Sequence, residues 1–354
     1  MRVGFDATPL LGARTGVGRY ALSLLGSLAA GPDELVATAF TFRGRSALAS
    51  VVPDGVSVAA RPAPARGLQA LWSRVEWPPV ELLSGSVEVF HATNFVLPPL
   101  RRARGVVTVH DLTYLRHSST VSSASLRYQA LVPRSLRRAS VVVTPSTATA
   151  ELVQEEYDVQ VPVVVTPLGV DDAWRSALPP SEELRRELGL PSSYLLFVGT
   201  LEPRKDLRTL LAAHRLMADP PPLVLVGPTG WGEQVDVTGC VTPGYLKDDR
   251  LRSVVAGASA LVLPSRDEGF GLPVLEALAC GTPVVASDLP VLREVGGSVV
   301  AYAEVGGPAS FAAVLESVLA GPGDPTARRA QAAEFTWERC AALTREAYAM
   351  ALQN

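Results

Sequence analysis

The chain has 354 residues, of which 47% are hydrophobic and 19% charged: too long for one ordinary α/β core, comfortable for two, and too apolar for disorder. A net charge of −3 argues against a general nucleic-acid binder, which carries a basic excess. Cys240, Cys280 and Cys340 stand far apart with no C-x-x-C pair, which indicates neither a zinc cage nor a disulfide framework and leaves reduced thiols in a cytoplasmic protein as the expectation.

Short β-rich runs alternate with helical patterns from the first residues on, which predicts parallel sheets built from βαβ units. A strand is expected at 3–5, then a loop from Gly12 to Gly16, then a helix over about 17–30 in which Val17, Leu24, Leu25 and Leu28 share a face. Strands follow at 36–40, 57–60, 87–90, 106–109, 141–143 and 163–165, and a helical stretch at 122–138 is interrupted by Pro133. Periodicity stops near 171–180, where Pro179-Pro180 breaks the chain. Beyond it, strands are expected at 194–198, 223–226, 237–241, 260–263, 284–286 and 298–301, with helices at 207–217, 250–256, 274–279 and 309–319 and a last one over about 337–352. The start, MRVGFDATPL, has no apolar core of a secretory signal, and no uncharged apolar run approaches the ~20 residues that span a bilayer. Any membrane contact is therefore expected to be peripheral. The expected fold is α/β, with two Rossmann-like, doubly wound domains, 1–172 and 173–336, and a terminal helix, 337–354, that returns to the first. Ligands in such sheets bind at the carboxyl ends of the strands, against a shared central cleft, so the residues just after each strand are the candidates.

Four such positions carry chemistry. Gly12-Ala13-Arg14-Thr15-Gly16 lies at a strand-to-helix turn, where glycine allows close approach of a phosphate and a helix N-terminus favours the anion. It is not G-x-G-x-x-G, and no acidic residue follows at the dinucleotide spacing, which disfavours a dehydrogenase. His110, in Val109-His110-Asp111, ends a strand and can accept a hydrogen bond near a reacting centre; His91 and Asn94, after the preceding strand, are weaker candidates for an acceptor side. In Val198-Gly199-Thr200-Leu201-Glu202-Pro203-Arg204-Lys205-Asp206, Asp206 can cap the next helix, and Arg204 and Lys205 are cations fit to stabilise a leaving diphosphate. In Glu268-Gly269-Phe270-Gly271-Leu272-Pro273-Val274-Leu275-Glu276-Ala277, Pro273 suits a first helical turn and Gly281 a helix end. The amides of Gly269 to Leu272 then suit hydroxyls and anions. Glu268 and Glu276 are separated by seven residues and can address opposite ends of an elongated ligand.

This last string resembles the E-x7-E motif of retaining GT-B glycosyltransferases, in particular glycosyltransferase family 4 and its bacterial mannosyltransferase-like members. The resemblance implies that Glu268 contacts donor-sugar hydroxyls, with the amides of Gly269, Phe270, Gly271 and Leu272, and that Glu276 holds the ribose hydroxyls. It implies that Arg204 and Lys205 bind the donor diphosphate beside Gly199 and Thr200, that Gly16 covers the phosphates, that Tyr245 borders the nucleobase, and that His110 meets the transferred sugar. The implied donor is a nucleotide-sugar, GDP-mannose by preference, and the implied acceptor a glycan, a lipid-linked or a small molecule. No D-x-D motif stands in a plausible metal position, and enzymes of this class work without metal, so no cofactor is expected. Nothing resembles a carboxylate placed as nucleophile, and the resemblance implies that transfer proceeds by front-face displacement. A nucleotide-sugar 2-epimerase and a non-catalytic partner subunit are the alternatives. Arg127, Arg134 and Arg138, with Arg101, Arg102 and Arg104, could touch anionic lipid, although a solvated basic face is the preferred reading.

Overall fold

A computed structural model describes every residue except 12–15, 42–43, 60, 62–63, 123–124, 233–234 and 354. The expected glycine loop from Gly12 to Thr15 therefore lies outside the described residues. One parallel sheet consists of β1 (Arg2–Asp6), β2 (Glu34–Thr38), β3 (Ser57–Val58), β4 (Val89–Ala92), β5 (Arg104–Thr108), β6 (Val141–Thr144) and β7 (Val163–Val165), in the order β3-β2-β1-β4-β5-β6-β7. A second consists of β8 (Leu195–Val198), β9 (Leu223–Val226), β10 (Val241–Gly244), β11 (Ala260–Leu263), β12 (Val284–Ser287) and β13 (Ala301–Ala303), in the order β10-β9-β8-β11-β12-β13. Strands β6, β8, β9 and β11 are buried at every position, as parallel strands covered by helices on both faces must be.

Two strands begin three or more residues C-terminal to their expected places. β10 takes in Pro243 and Gly244, which read as strand breakers; it is an edge strand, paired only with β9 and irregular between Val241 and Gly244, where a missing N–H costs no ladder bond. β13 begins at Ala301 because residues 297–299 form a 3-10 turn after a short helix, Pro290–Gly296, that the hydrophobic pattern did not reveal.

The chain divides into two compact units. One holds Met1–Leu115, Ala124–Gly169 and Thr336–Asn354; the other holds Arg116–Ser123 and Val170–Phe335. The divisions thus fall at 169/170 and 335/336, and residues 116–123 group with the second unit, tied there by the Trp231 indole N–H donating to the Thr120 carbonyl at 3.0 Å. In the first unit the terminal helix, Trp337–Gln353, packs on helix Gly16–Ala29 and on β5 and β6, burying Trp337, Cys340, Ala341, Thr344, Ala347, Tyr348 and Ala351. In the second, Phe197, Leu210, Leu225, Val262, Phe311 and Leu315 fill the core, each burial worth about 1.5–3 kcal/mol.

Both strand orders reverse direction once: between β1 and β4 in the first sheet, and between β8 and β11 in the second. At such a reversal the loops leaving two adjacent strands diverge and open a crevice at their carboxyl ends. The loops leaving β8 and β11 are the two strings singled out in the sequence.

Candidate functional site

In the second unit, β8 runs into Gly199 and Thr200, then a 3-10 turn at Pro203–Lys205. This loop lies tight against the one leaving β9. A Cβ at Gly227 would stand 2.0 Å from the Gly199 carbonyl oxygen, and one at Gly230 would stand 2.5 Å from that of Leu201. Only glycine permits this approach. The turn is bonded on its other side to the loop after β11, where the Arg266 N–H donates to the Arg204 carbonyl at 2.9 Å.

The switch point thereby gathers Arg204, Lys205 and Glu268. Lys205 Nζ donates to Glu268 Oε1 at 2.6 Å, and the Ser265 hydroxyl donates to the same oxygen at 2.6 Å. Arg204 Nη1 donates to Glu268 Oε2 at 3.1 Å and to the Asp267 carbonyl at 2.6 Å, while its Nη2 lies 2.8 Å from Glu202 Oε1. Glu268 and Glu202 side chains are each only 7% exposed. Burial alone would push the Glu268 carboxyl up. The charges of Lys205 and Arg204, with the hydrogen bonds from Lys205 and Ser265, outweigh it and hold the group at about 2. Asp206 stands at the start of helix Leu207–Leu216, but not as the expected cap. Its backbone is left-handed, with φ +46°, and its carboxylate accepts from the Thr209 hydroxyl at 2.8 Å and from Arg266 Nε at 2.9 Å instead of from a helix amide.

The loop after β11 ends at Gly271, whose φ of +100° sets the entry to helix Leu272–Cys280, with Pro273 in its first turn and Gly281 closing it in the left-handed region. The Phe270 ring is buried and meets Phe335 edge to face, so this residue can offer a ligand its backbone and not its ring. Leu272 is half-buried. Glu276 is buried on the same helix, at 4% exposure. Tyr245, just beyond β10, is half exposed.

The candidates of the first unit sit around the reversal between β1 and β4, where the Thr93 hydroxyl donates to the Asp6 carbonyl at 2.7 Å. Gly16 begins the first long helix and is exposed. His110 is buried, with Tyr20 and Phe95 rings edge-on to it. Its Nε2 lies 2.8 Å from the Thr93 carbonyl. A carbonyl only accepts, so Nε2 carries the proton and Nδ1 is left as an acceptor in the neutral ring. Burial pushes the His110 pKa down and favours that neutral form. Asn94 is half-buried beside the Tyr128 hydroxyl.

His91 corrects an expectation. It is 0% exposed, with Nδ1 2.8 Å from the Tyr348 hydroxyl and Nε2 2.7 Å from the Thr108 hydroxyl, itself 2.8 Å from that of Tyr20. No edge of the ring is open to an acceptor; it is a core histidine joining the terminal helix to β5. Burial, with His110 nearby, lowers its pKa to about 3. A folded value below the unfolded 6.5 means stability that is fully present above pH 6.5 and is lost as the pH falls toward 3. The stability gap between wild type and His91→Gln is therefore expected to narrow by about 1.4 kcal/mol per pH unit between pH 6.5 and 4. Denaturant titrations across that range check it; a constant gap would remove the assignment.

The expected basic stripe is engaged in part and otherwise solvated. Arg138 is bound to Glu76 at 2.6 and 2.7 Å and to the carbonyls of Leu97 and Trp72, and Arg127 lies over the Tyr128 ring. Arg101, Arg102 and Arg104 are exposed. Among the described residues no helix is long and apolar enough to cross a membrane, and no cluster of three His, Cys, Asp or Glu side chains could hold a metal ion.

Glu202 and Gly227 are site residues the sequence reading did not single out. Glu202 lies inside the Arg-Lys string, and its signal was the acidic residue two positions before Arg204; Gly227 opens Gly-Pro-Thr-Gly directly after β9.

Residues 14–174 match the family described as Glycosyltransferase Family 4, and residues 192–321 the one described as Glycosyl transferases group 1. The chain is 31% identical over 284 residues to O-antigen chain mannosyltransferase B of Escherichia coli, a match covering 73% of this chain and 74% of that protein. It is 34% identical over 230 residues to the D-inositol 3-phosphate glycosyltransferase of Kineococcus radiotolerans, covering 54% of this chain and 52% of that one. Among solved structures it resembles HepE of Anabaena, in complex with UDP and glucose, with a TM-score of 0.70 at 18% identity over 98% of both chains. That likeness is one of fold.

Proposed function

The chain belongs to glycosyltransferase family 4 and is a glycosyltransferase of GT-B fold, and on that premise we propose that it transfers mannose from GDP-mannose, with retention of configuration, to a glycan, lipid-linked or small-molecule acceptor. The observation that carries the reading is the Arg204–Lys205–Glu268 cluster at the reversal between β8 and β11. The choice of mannose rests on the likeness to the O-antigen mannosyltransferase.

In this proposal the donor diphosphate takes the two cations from Glu268, beside Gly199 and Thr200, and Gly16 approaches the phosphates. Glu268, released, accepts hydrogen bonds from sugar hydroxyls, and the amides of Gly269, Phe270, Gly271 and Leu272 donate to the sugar. Glu276 accepts from the ribose hydroxyls and Tyr245 stacks on the base. His110 accepts a hydroxyl through Nδ1, and Asn94 is kept on the acceptor side. The acceptor oxygen attacks the anomeric carbon on the face from which the diphosphate departs. The sugar–phosphate bond breaks as the new glycosidic bond forms, and a leaving phosphate oxygen takes the acceptor proton. Glu268, held ionised beside the two cations before the donor arrives, enters the site as a hydrogen-bond acceptor. Arg204 and Lys205 stabilise the growing negative charge of the leaving group, which is the part a metal ion would otherwise play.

Calorimetric titration of the purified chain with GDP, UDP, dTDP and ADP, without metal, tests this. Micromolar binding of GDP is expected, weakened about 10- to 100-fold in Glu276→Ala, as loss of charged hydrogen bonds to ribose would produce. Binding of UDP in preference to GDP would replace GDP-mannose as the donor. Binding of none would favour a non-catalytic subunit.

A further inference from the structure

We propose that Phe95 is a positioning residue of the transfer step: a strained turn locks its ring against His110 and Tyr128, and so fixes where the open edge of His110 and the Asn94 side chain meet the acceptor. The inference rests on the roles proposed above for His110 and Asn94.

The chain leaves β4 through a turn of unusual form. Phe95 has φ +61°, and the Val96 N–H donates to the Asn94 carbonyl at 2.7 Å, which closes a three-residue turn about Phe95. With a positive central φ this is the rare and strained form of the γ-turn. Among the described residues the other non-glycine positions at positive φ are Asp158 and Asp206, and aspartate tolerates that backbone where a bulky phenylalanine does not. Such strain persists only where the surroundings over-determine the backbone. Here three elements do so. The Thr93 hydroxyl donates to the Asp6 carbonyl on β1 at 2.7 Å, the Phe95 N–H to the Thr108 carbonyl on β5 at 3.0 Å, and the Leu97 N–H to the Ser135 hydroxyl of helix Tyr128–Arg138 at 2.9 Å.

The turn sets the place of one buried ring. Phe95 lies 5.6 Å from His110 at 80°, 5.7 Å from Tyr114 at 82° and 4.8 Å from Tyr128 at 36°, between ring centroids and planes. His110 is anchored through Nε2 on the carbonyl of Thr93, two residues before Phe95. A single hydrogen bond leaves an imidazole free to tilt about it. The rings of Phe95 and Tyr20, each edge to face with His110, remove that freedom, and Nδ1 keeps one direction. The same Phe95 ring packs on Tyr128, whose hydroxyl lies beside the Asn94 side chain. A ring needed only to fill the core would sit as well on relaxed backbone; this one is held under strain beside two groups of the acceptor side.

Phe95→Asn tests the proposal, because asparagine tolerates the left-handed backbone and keeps the turn while the ring is lost. Phe95→Gly does the same without burying an amide and serves where the asparagine does not fold; Phe95→Tyr keeps the ring. Histidine side-chain NMR, with the His110 signal identified by its absence in His110→Gln, is expected to show one sharp Nε2-protonated ring in wild type and a shifted or broadened one in the variants that lose the ring. The same variants are expected to lower kcat for GDP release from GDP-mannose, with methyl α-mannopyranoside as acceptor, about 10- to 100-fold. The Kd for GDP should not move, because the diphosphate cluster belongs to the other unit. Phe95→Tyr is expected to restore both signal and rate. An unchanged His110 signal, full kcat with an altered signal, or a GDP Kd that weakens in step with kcat would each overturn the proposal. Wild type that releases no GDP would count against the function proposed above and not against the hold on the ring, which the His110 signal decides by itself.

Discussion

Arg204→Ala/Lys205→Ala is expected to lose about 10³-fold or more in the rate of sugar transfer, since each donor to a developing oxyanion is worth about 10²–10³. It is also expected to be less stable than wild type, because it strands Glu268, whose side chain is only 7% exposed, without either cation. Adding Glu268→Gln should recover most of the Tm and none of the transfer, which separates the two roles of the pair. The pH dependence gives an independent sign. In wild type the Glu268 carboxyl is held at about 2, below its ordinary 4.5, so its stabilisation, of order 3 kcal/mol, is fully present above pH 4.5 and lost as pH falls toward 2. In the double variant only the Ser265 hydrogen bond still opposes burial, and the folded pKa rises. Stability should then increase as pH falls through that raised value, the reverse of wild type. Transfer at wild-type rate by the double variant would end the assignment of these residues to the diphosphate.

Gly227→Ala is expected to cost about 3 kcal/mol and to weaken nucleotide binding at least tenfold. Its Cβ would fall 2.0 Å from the Gly199 oxygen and 2.7 Å from the carbonyl carbon. Both belong to backbone at the end of β8, so the clash cannot be relieved by rotating a side chain. The loop carrying Arg204 and Lys205 has to move with it. Gly16→Ala is the control for stability: nothing lies within 4 Å of a Cβ there, and the Tm should hold. Thermal unfolding and nucleotide calorimetry on both variants check this; an unperturbed Gly227→Ala would mean that the two loops are not coupled.

The sheets were legible because parallel strands are buried on both faces and read as short apolar runs, as in Leu195–Val198 and Ala260–Leu263. Reading failed at β10, where Pro243 and Gly244 sit in an edge strand and local breakers are tolerated. The two strings of the donor cluster were legible because each holds its chemistry within a few residues. Their joining was not, since it depends on β8 and β11 becoming neighbours at the reversal. For the same reason Gly227 looked like any loop glycine. His91 shows the opposite limit. Its strand-end position suggested a ligand, and only its bond to Tyr348, 257 positions away, shows it to be core. Asp206 was placed at the right helix end, but a left-handed backbone turned its carboxylate to Arg266.

The carboxylates around the switch point of the second unit also set what an approaching anion encounters. Arg204, Lys205 and Arg266 are matched by Glu202, Glu268 and Asp206, each cation within 3.1 Å of a carboxylate oxygen. The three positive and three negative charges cancel beyond a few ångströms, so these loops exert little pull at the distance of a Debye length. In the proposed function, a nucleotide therefore arrives by ordinary diffusion and is held by trading places with a carboxylate already there.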